Sequence, residues 1–194
     1  MPNEKTVIPY KVQKGNRPKI EEVISSCLDG DLQKSALEFA QFMRDNKIPF
    51  RIRSSSTRGQ RADYMKEPIC TINVYHESDW DKVDSRSEGD PPSYTISPFL
   101  IMFDLYENRI AEEKLDNIKW DHFRPCNDCG PNCWCKGVDR TALNKEFTRI
   151  CWFDRPSVIN PDAAQIDAMK RLLLLEKQAR DEFGQRPLAP QWRK

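Results

Sequence analysis

Five of the seven cysteines fall between residues 126 and 151, as Cys126, Cys129, Cys133, Cys135 and Cys151, a C-x2-C-x3-C-x-C-x15-C arrangement. No other feature constrains the fold as strongly. A C-x2-C turn points two thiolates at one ion, and the glycine after Cys129 permits the tight turn that such a knuckle needs. In a reducing compartment thiols stay unbridged unless a metal or catalysis uses them, so this density predicts a metal site. Four sulfurs close a tetrahedral shell around zinc and leave no open position for chemistry. The expected ligands are Cys126, Cys129, Cys133 and Cys151, because a ligand from a distant segment staples the chain. Cys135 and His122 are the rivals for the fourth place. An iron–sulfur cluster would use the same ligands, but nothing nearby points to an electron partner. A redox pair at Cys126 and Cys129 would need a strand and a helix N-terminus around it, and neither pattern is present.

The remaining composition narrows the class. A chain of 194 residues is long enough for one buried core. With 31 basic and 30 acidic side chains its net charge of +1 sets up no global field toward nucleic acid or an anionic membrane, so any basic patch is local. The start, Met1 to Thr6, lacks the apolar stretch of a secretory signal, and no apolar run approaches a bilayer span. A cytoplasmic protein is expected.

Periodicity then gives the elements. Residues 1–17 show no period and are expected to form a flexible arm. A helix fits 18–28, with Pro18 in its first turn, Ile20, Val23, Ile24 and Leu28 on one face and Gly30 as its stop. Asp31 is the expected N-cap of a second helix to about Asn46, with Leu32, Ala36, Phe39, Ala40 and Met43 as its stripe and Pro49 barring continuation. The period then falls to two. Phe50 and Ile52 open a strand, Cys70, Ile72 and Val74 alternate against Thr71, Asn73 and Tyr75 in a second, and Tyr94 to Phe99 fit a third. Between the last two, Glu77 to Ser93 has the composition of an exposed loop inserted in a meander. Residues 100–119 return to a helical mixture around Ile110, Leu115 and Ile118. Asn160-Pro161-Asp162 marks the clearest helix start, leading to a stripe of Ile166, Met169, Leu172, Leu173, Ala179 and Phe183 that Gly184 ends. The Leu172 to Leu175 run calls for deep packing or a shared face, and a sheet that needs a helical cover favours packing. Residues 185–194 are expected to be an irregular tail.

Two further groups carry chemistry. Arg51, Arg53, Arg58 and Arg61, interleaved with serines and a threonine, suit phosphate or a nucleic-acid backbone, although a solvated hairpin loop between two strands accounts for the same residues. No recognition helix or aromatic stacking motif accompanies them. Trp134 and Trp152 flank the cysteines and suit shielding of a metal from water. Glu112, Glu113 and Asp116 are best explained as a solvated helix face. There is no Gly-rich phosphate loop, nucleophile elbow or H-E-x-x-H motif.

From the second helix onward the chain resembles a group of small bacterial proteins, common in Firmicutes, that have no assigned activity. They carry a helix ending ALDF-x-x-x-LR-x-NK, here Ala36-Leu37-Glu38-Phe39 to Met43-Arg44-Asp45-Asn46-Lys47. They continue with a C-x2-C-G-x-x-C knuckle, a GKEF-x-x-x-C stretch and an NPDA helix start, matched by Cys126 to Cys133, Asn144 to Cys151, and Asn160 to Ala163. Asn144 replaces the usual glycine and Cys135 is additional. The resemblance supports the ligand choice and implies no activity. The expected fold is α+β: a small antiparallel sheet covered by N-terminal helices and a long C-terminal helix, in one domain over 18–184 with a zinc knuckle at 122–151. The expected function is a non-catalytic intracellular module, stabilised by structural zinc, that binds a protein or small ligand. A nucleic-acid-binding accessory role for Arg51 to Arg61 is the alternative, and a thiol-dependent enzyme the second. No membrane partner is expected.

Overall fold

The computed structural model describes residues 7–8, 18–51, 60–76, 90–115, 138–142, 145–150 and 157–184. Helix α1 (Ile20–Cys27) starts where Glu22 Oε2 accepts from the Lys19 amide at 3.2 Å, and buries Ile20, Val23, Ile24 and Cys27. Helix α2 (Gly30–Asp45) follows after two residues. Gly30 therefore opens the second helix instead of ending the first, and Asp29, not Asp31, stands at the N-cap. So short a reversal needs a left-handed residue, and Gly30 supplies it with φ +57°. Of the expected arm, Val7 packs against the core while Ile8 donates its amide to Ser26 Oγ at 3.2 Å and accepts from Cys27 Sγ at 3.6 Å.

Five strands make one antiparallel sheet in the order β1-β2-β3-β4-β7: β1 (Phe50–Arg51), β2 (Gln60–Tyr64), β3 (Glu67–Tyr75), β4 (Ser93–Pro98) and β7 (Val158–Ile159). β3 and β4 are neighbours, as a meander requires, and residues 77–89 of the expected insertion lie outside the described residues. The alternation rule misses strands β2 and β7. β7 has two residues, too few to show a period, and β2 reads Gln-Arg-Ala-Asp-Tyr, with Ala62 as the only small apolar residue on its core side. A second, two-stranded sheet pairs β5 (Val138–Ala142) with β6 (Lys145–Ile150). Of the expected knuckle at 122–151 these two strands are described, and all five cysteines and His122 lie outside the described residues.

Register sorts the large sheet into two unlike faces. Phe50, Ala62 and Cys70 stand in one cross-strand line and Ile72, Ile96 and Val158 in the next. These join α1, α2 and Ile166, Met169 and Leu173 of the C-terminal helix in one apolar core. Fully burying a side chain of this kind stabilises by about 1.5–3 kcal/mol, so this face dominates the fold energetically.

Helix α4 (Ala163–Phe183) starts at Asp162, not at Asn160. Asp162 Oδ1 accepts from the Gln165 amide at 2.8 Å, and Gln165 Oε1 accepts from the Asp162 amide at 2.9 Å, a reciprocal cap. Asn160 instead pairs with Tyr94: with φ +45°, its amide donates to the Tyr94 carbonyl and its Oδ1 accepts from the Tyr94 amide, both at 2.9 Å. Leu172, Leu173 and Leu175 are buried and Leu174 is 40% exposed, so the leucine run is core with one solvent-facing member. Phe183, expected on the buried stripe, is 58% exposed because it lies at the helix end, beyond the last packed turn.

Residues 100–119 hold less helix than their composition promises. A 3-10 turn (Phe103–Leu105) leads to α3 (Glu107–Glu112), and residues 116–119 are outside the described set. Leu100, Met102, Phe103, Tyr106, Ile110 and Leu115 form a second apolar cluster with Ala168, Leu172, Leu175 and Ala179 of α4. Helix α4 is therefore shared by two clusters on different stripes of its surface.

Candidate functional site

The polar face of the sheet contains the part of the arginine group that the structure describes. Arg51 stands directly across from Arg61, Arg61 across from Thr71, and Thr71 across from Ser97, a line crossing four strands. Asn73, Thr95 and Ile159 form the neighbouring line. The arginines are thus strand residues at β1 and β2, whereas the sequence pattern placed Arg61 in a loop. Arg53 and Arg58 lie outside the described residues. Like charges at directly paired positions are unfavourable, and Asp63 offsets one of them, its Oδ1 lying 2.8 Å from Arg61 Nε. The N–H does not point at that oxygen, so the contact is an ion pair without a directed hydrogen bond. Arg51 is exposed while Thr71 and Ser97 are buried, so the accessible cationic group of the line is at the β1 edge. Such an edge can hold an oxyanion by charge and by the planar fork of the guanidinium.

A second polar group, centred on one buried carboxylate, lies outside every motif of the sequence. Glu176 of α4 is fully buried, and its carboxylate accepts from the amides of Ile101 and Met102, from Tyr106 Oη at 2.7 Å and from Arg180 Nε at 2.8 Å. Arg180, 1% exposed, donates through Nη2 to the carbonyls of Pro68 at 3.0 Å and Phe99 at 3.3 Å, and its Nη1 is buried without a partner. The signal was present in the sequence: continuing the stripe from Leu172 and Leu173 by one helical turn lands on Glu176. A charge at such a position has to be paired.

A third group lies on the surface where β2 meets α4. Tyr64 Oη donates to Asp181 Oδ1, and Lys177 Nζ sits 4.9 Å from the Tyr64 ring centroid and 3.4 Å from Asp181 Oδ2. The bond to Asp181 pushes the Tyr64 phenol above its ordinary range, and the same bond holds the Asp181 carboxyl below its own. Nearby, the bond from Lys170 lowers Glu38 in the same way. Burial raises Tyr94, against the opposing effect of its 2.8 Å bond to Ser35 Oγ. These contacts join elements, and no nucleophile–base pair arises from them.

Among the described residues no group of three or more His, Cys, Asp or Glu side chains could hold a metal ion, and no helix is long and apolar enough to cross a membrane. Cys27 and Cys70 are separate buried thiols of the apolar core. The fold defines an α+β protein built on an antiparallel sheet with one apolar and one polar face. Comparison of the chain with protein-family models, with curated proteins and with solved structures finds no match.

Proposed function

We propose that the chain is a non-catalytic intracellular binding module whose cysteine segment is closed by one structural zinc ion. One observation carries this reading: Cys126, Cys129, Cys133, Cys135 and Cys151 fall within 26 residues, while the other two cysteines are accounted for as core thiols. A donor set made of thiolates suits zinc by its softness and charge. A saturated site stabilises the fold and leaves ligand binding to another surface. Cys126, Cys129 and Cys133 supply three ligands and Cys151 the fourth, with Cys135 and His122 as substitutes.

The test is the metal content of freshly purified protein together with melting in the presence of a chelator. Near-stoichiometric zinc whose removal lowers or abolishes the melting transition supports the reading. Metal-free protein with an unchanged melt overturns it, and alkylation of Cys126 or Cys129 without effect on the fold would move the reading to thiol chemistry.

A second reading, a nucleic-acid-binding accessory protein, is favoured by the direct pairing of Arg51 with Arg61 at a sheet edge. Arg53 and Arg58 add charge in the connection between those strands. Binding of this kind weakens steeply with salt, so absence of retention on DNA at low salt rejects it.

A further inference from the structure

Two apolar clusters flank α4, and they are secured by different means. Ile166, Met169 and Leu173 face the sheet core, whereas Ala168, Leu172, Leu175 and Ala179 face residues 100–115. Helical spacing puts Glu176 between the two stripes and Arg180 on the continuation of the sheet-facing one. The pair divides its partners accordingly. Arg180 Nη2 holds the Pro68 and Phe99 carbonyls on the sheet side, while the Glu176 carboxylate holds Ile101, Met102 and Tyr106 on the other. The Phe99 amide donates to the Ile69 carbonyl at 2.9 Å, so the sheet ladder stops one residue before the second cluster begins. The helices in 100–115 are a three-residue turn and a six-residue helix, lengths that do not persist without tertiary support.

We infer that residues 100–115 form a cooperative unit that swings away from α4 while the sheet, α1 and α2 stay folded, with Phe99–Leu100 as hinge and Glu176 as latch. Opening uncovers the stripe of Ala168, Leu172, Leu175 and Ala179. It breaks the bonds that the Ile101 and Met102 amides and the Tyr106 hydroxyl donate to Glu176, and leaves the Arg180 anchor on the sheet in place. Sub-global units of this kind open with less free energy than global unfolding requires.

Native-state amide hydrogen exchange on the full chain tests this. The amides of Ile101, Met102 and Ile110 are expected to exchange at least ~10-fold faster than those of Ile72 and Val74 in β3. Two variants separate opening from unfolding. Ile72→Val, with Ile72→Ala in reserve if the first leaves Val74 unmoved, speeds exchange of the β3 amides and leaves Ile101, Met102 and Ile110 unchanged. Tyr106→Phe, which removes one latch bond, speeds exchange of the unit several-fold. If the Ile72 variant accelerates Ile101, Met102 and Ile110 by the same factor as Val74, the unit opens only with the whole domain and the inference is overturned. If Tyr106→Phe leaves the unit's exchange unchanged, Glu176 is not its latch.

Discussion

Arg180 Nε donates to Glu176 Oε1 at 2.8 Å between side chains that are 2% and 0% exposed, one turn apart on α4. Removing water from two charges is expensive, and the pair is tolerated because backbone amides and the Tyr106 hydroxyl complete the carboxylate shell while two carbonyls accept from Nη2 of the guanidinium. Removing one partner strands the other. Glu176→Ala should therefore lower stability by about 3–5 kcal/mol. Replacing both, as Glu176→Leu with Arg180→Met, should lower it by much less. Urea unfolding of the three proteins checks the order, and a double variant weaker than the single one would show that the pair is not an isolated buried charge problem.

Asn160 should be sensitive for a reason that its neighbours do not share. It holds both the amide and the carbonyl of Tyr94 in a left-handed conformation that asparagine tolerates. Asn160→Ala loses a side-chain bond to a backbone amide and adds backbone strain, an expected loss of about 1–3 kcal/mol. Asp162→Ala removes the cap of α4 and should lose about 1 kcal/mol. Thermal melts of the two variants should rank them in that order.

Gly30 isolates a backbone effect. A Cβ there would meet nothing within 4 Å, yet φ is +57°. Gly30→Ala is therefore expected to destabilise by about 1–2 kcal/mol through conformation alone, with no packing change visible in the near-ultraviolet spectrum.

Acid should act through Asp181. Its folded carboxyl titrates below its ordinary value, so the stability it adds is complete above the unfolded pKa, near 4, and disappears as pH falls through the lower folded value. The gap in melting temperature between the protein and Asp181→Asn should be present at pH 6 and shrink below about pH 4. The group is largely solvent-exposed, so the gap should be small and should also close with added salt.

At the alkaline end Tyr94 has the opposite sign. Burial raises its phenol, so the neutral form is the folded one, and stability present below the unfolded pKa, near 10, is lost as pH rises through the folded value. Tyr94→Phe should remove that alkaline component, at the expense of the bond to Ser35. An unchanged alkaline melting profile in Tyr94→Phe would remove this residue from the account.

Local pattern carried much of the architecture. The stripes of α1 and α2, the alternation of Cys70, Ile72 and Val74, and the Asn160-Pro161-Asp162 start all depend on residues close in sequence, whose periods and caps are visible without a fold. Boundaries set by backbone conformation were less legible. Gly30 signals a turn in either role, and Asn160 and Asp162 are both good caps, so only the hydrogen bonds actually formed decide between them. Strand β2 was hidden because its alternation is largely polar: its stability comes from ladders to β1 and β3, which no local period records.

The sequence by itself determined the α+β class, the positions of the three longest helices and the concentration of thiols between Cys126 and Cys151, because each follows from composition or short-range spacing. Tertiary structure alone decided that Arg51 faces Arg61 across a strand pair, that Asn160 pairs with Tyr94, and that Glu176 is a buried receptor for the turn at Ile101 and Met102. Those relationships join residues 10 to 75 positions apart. A contact across such a separation has no local signature, since its free energy appears only once the sheet and α4 have brought the two groups together.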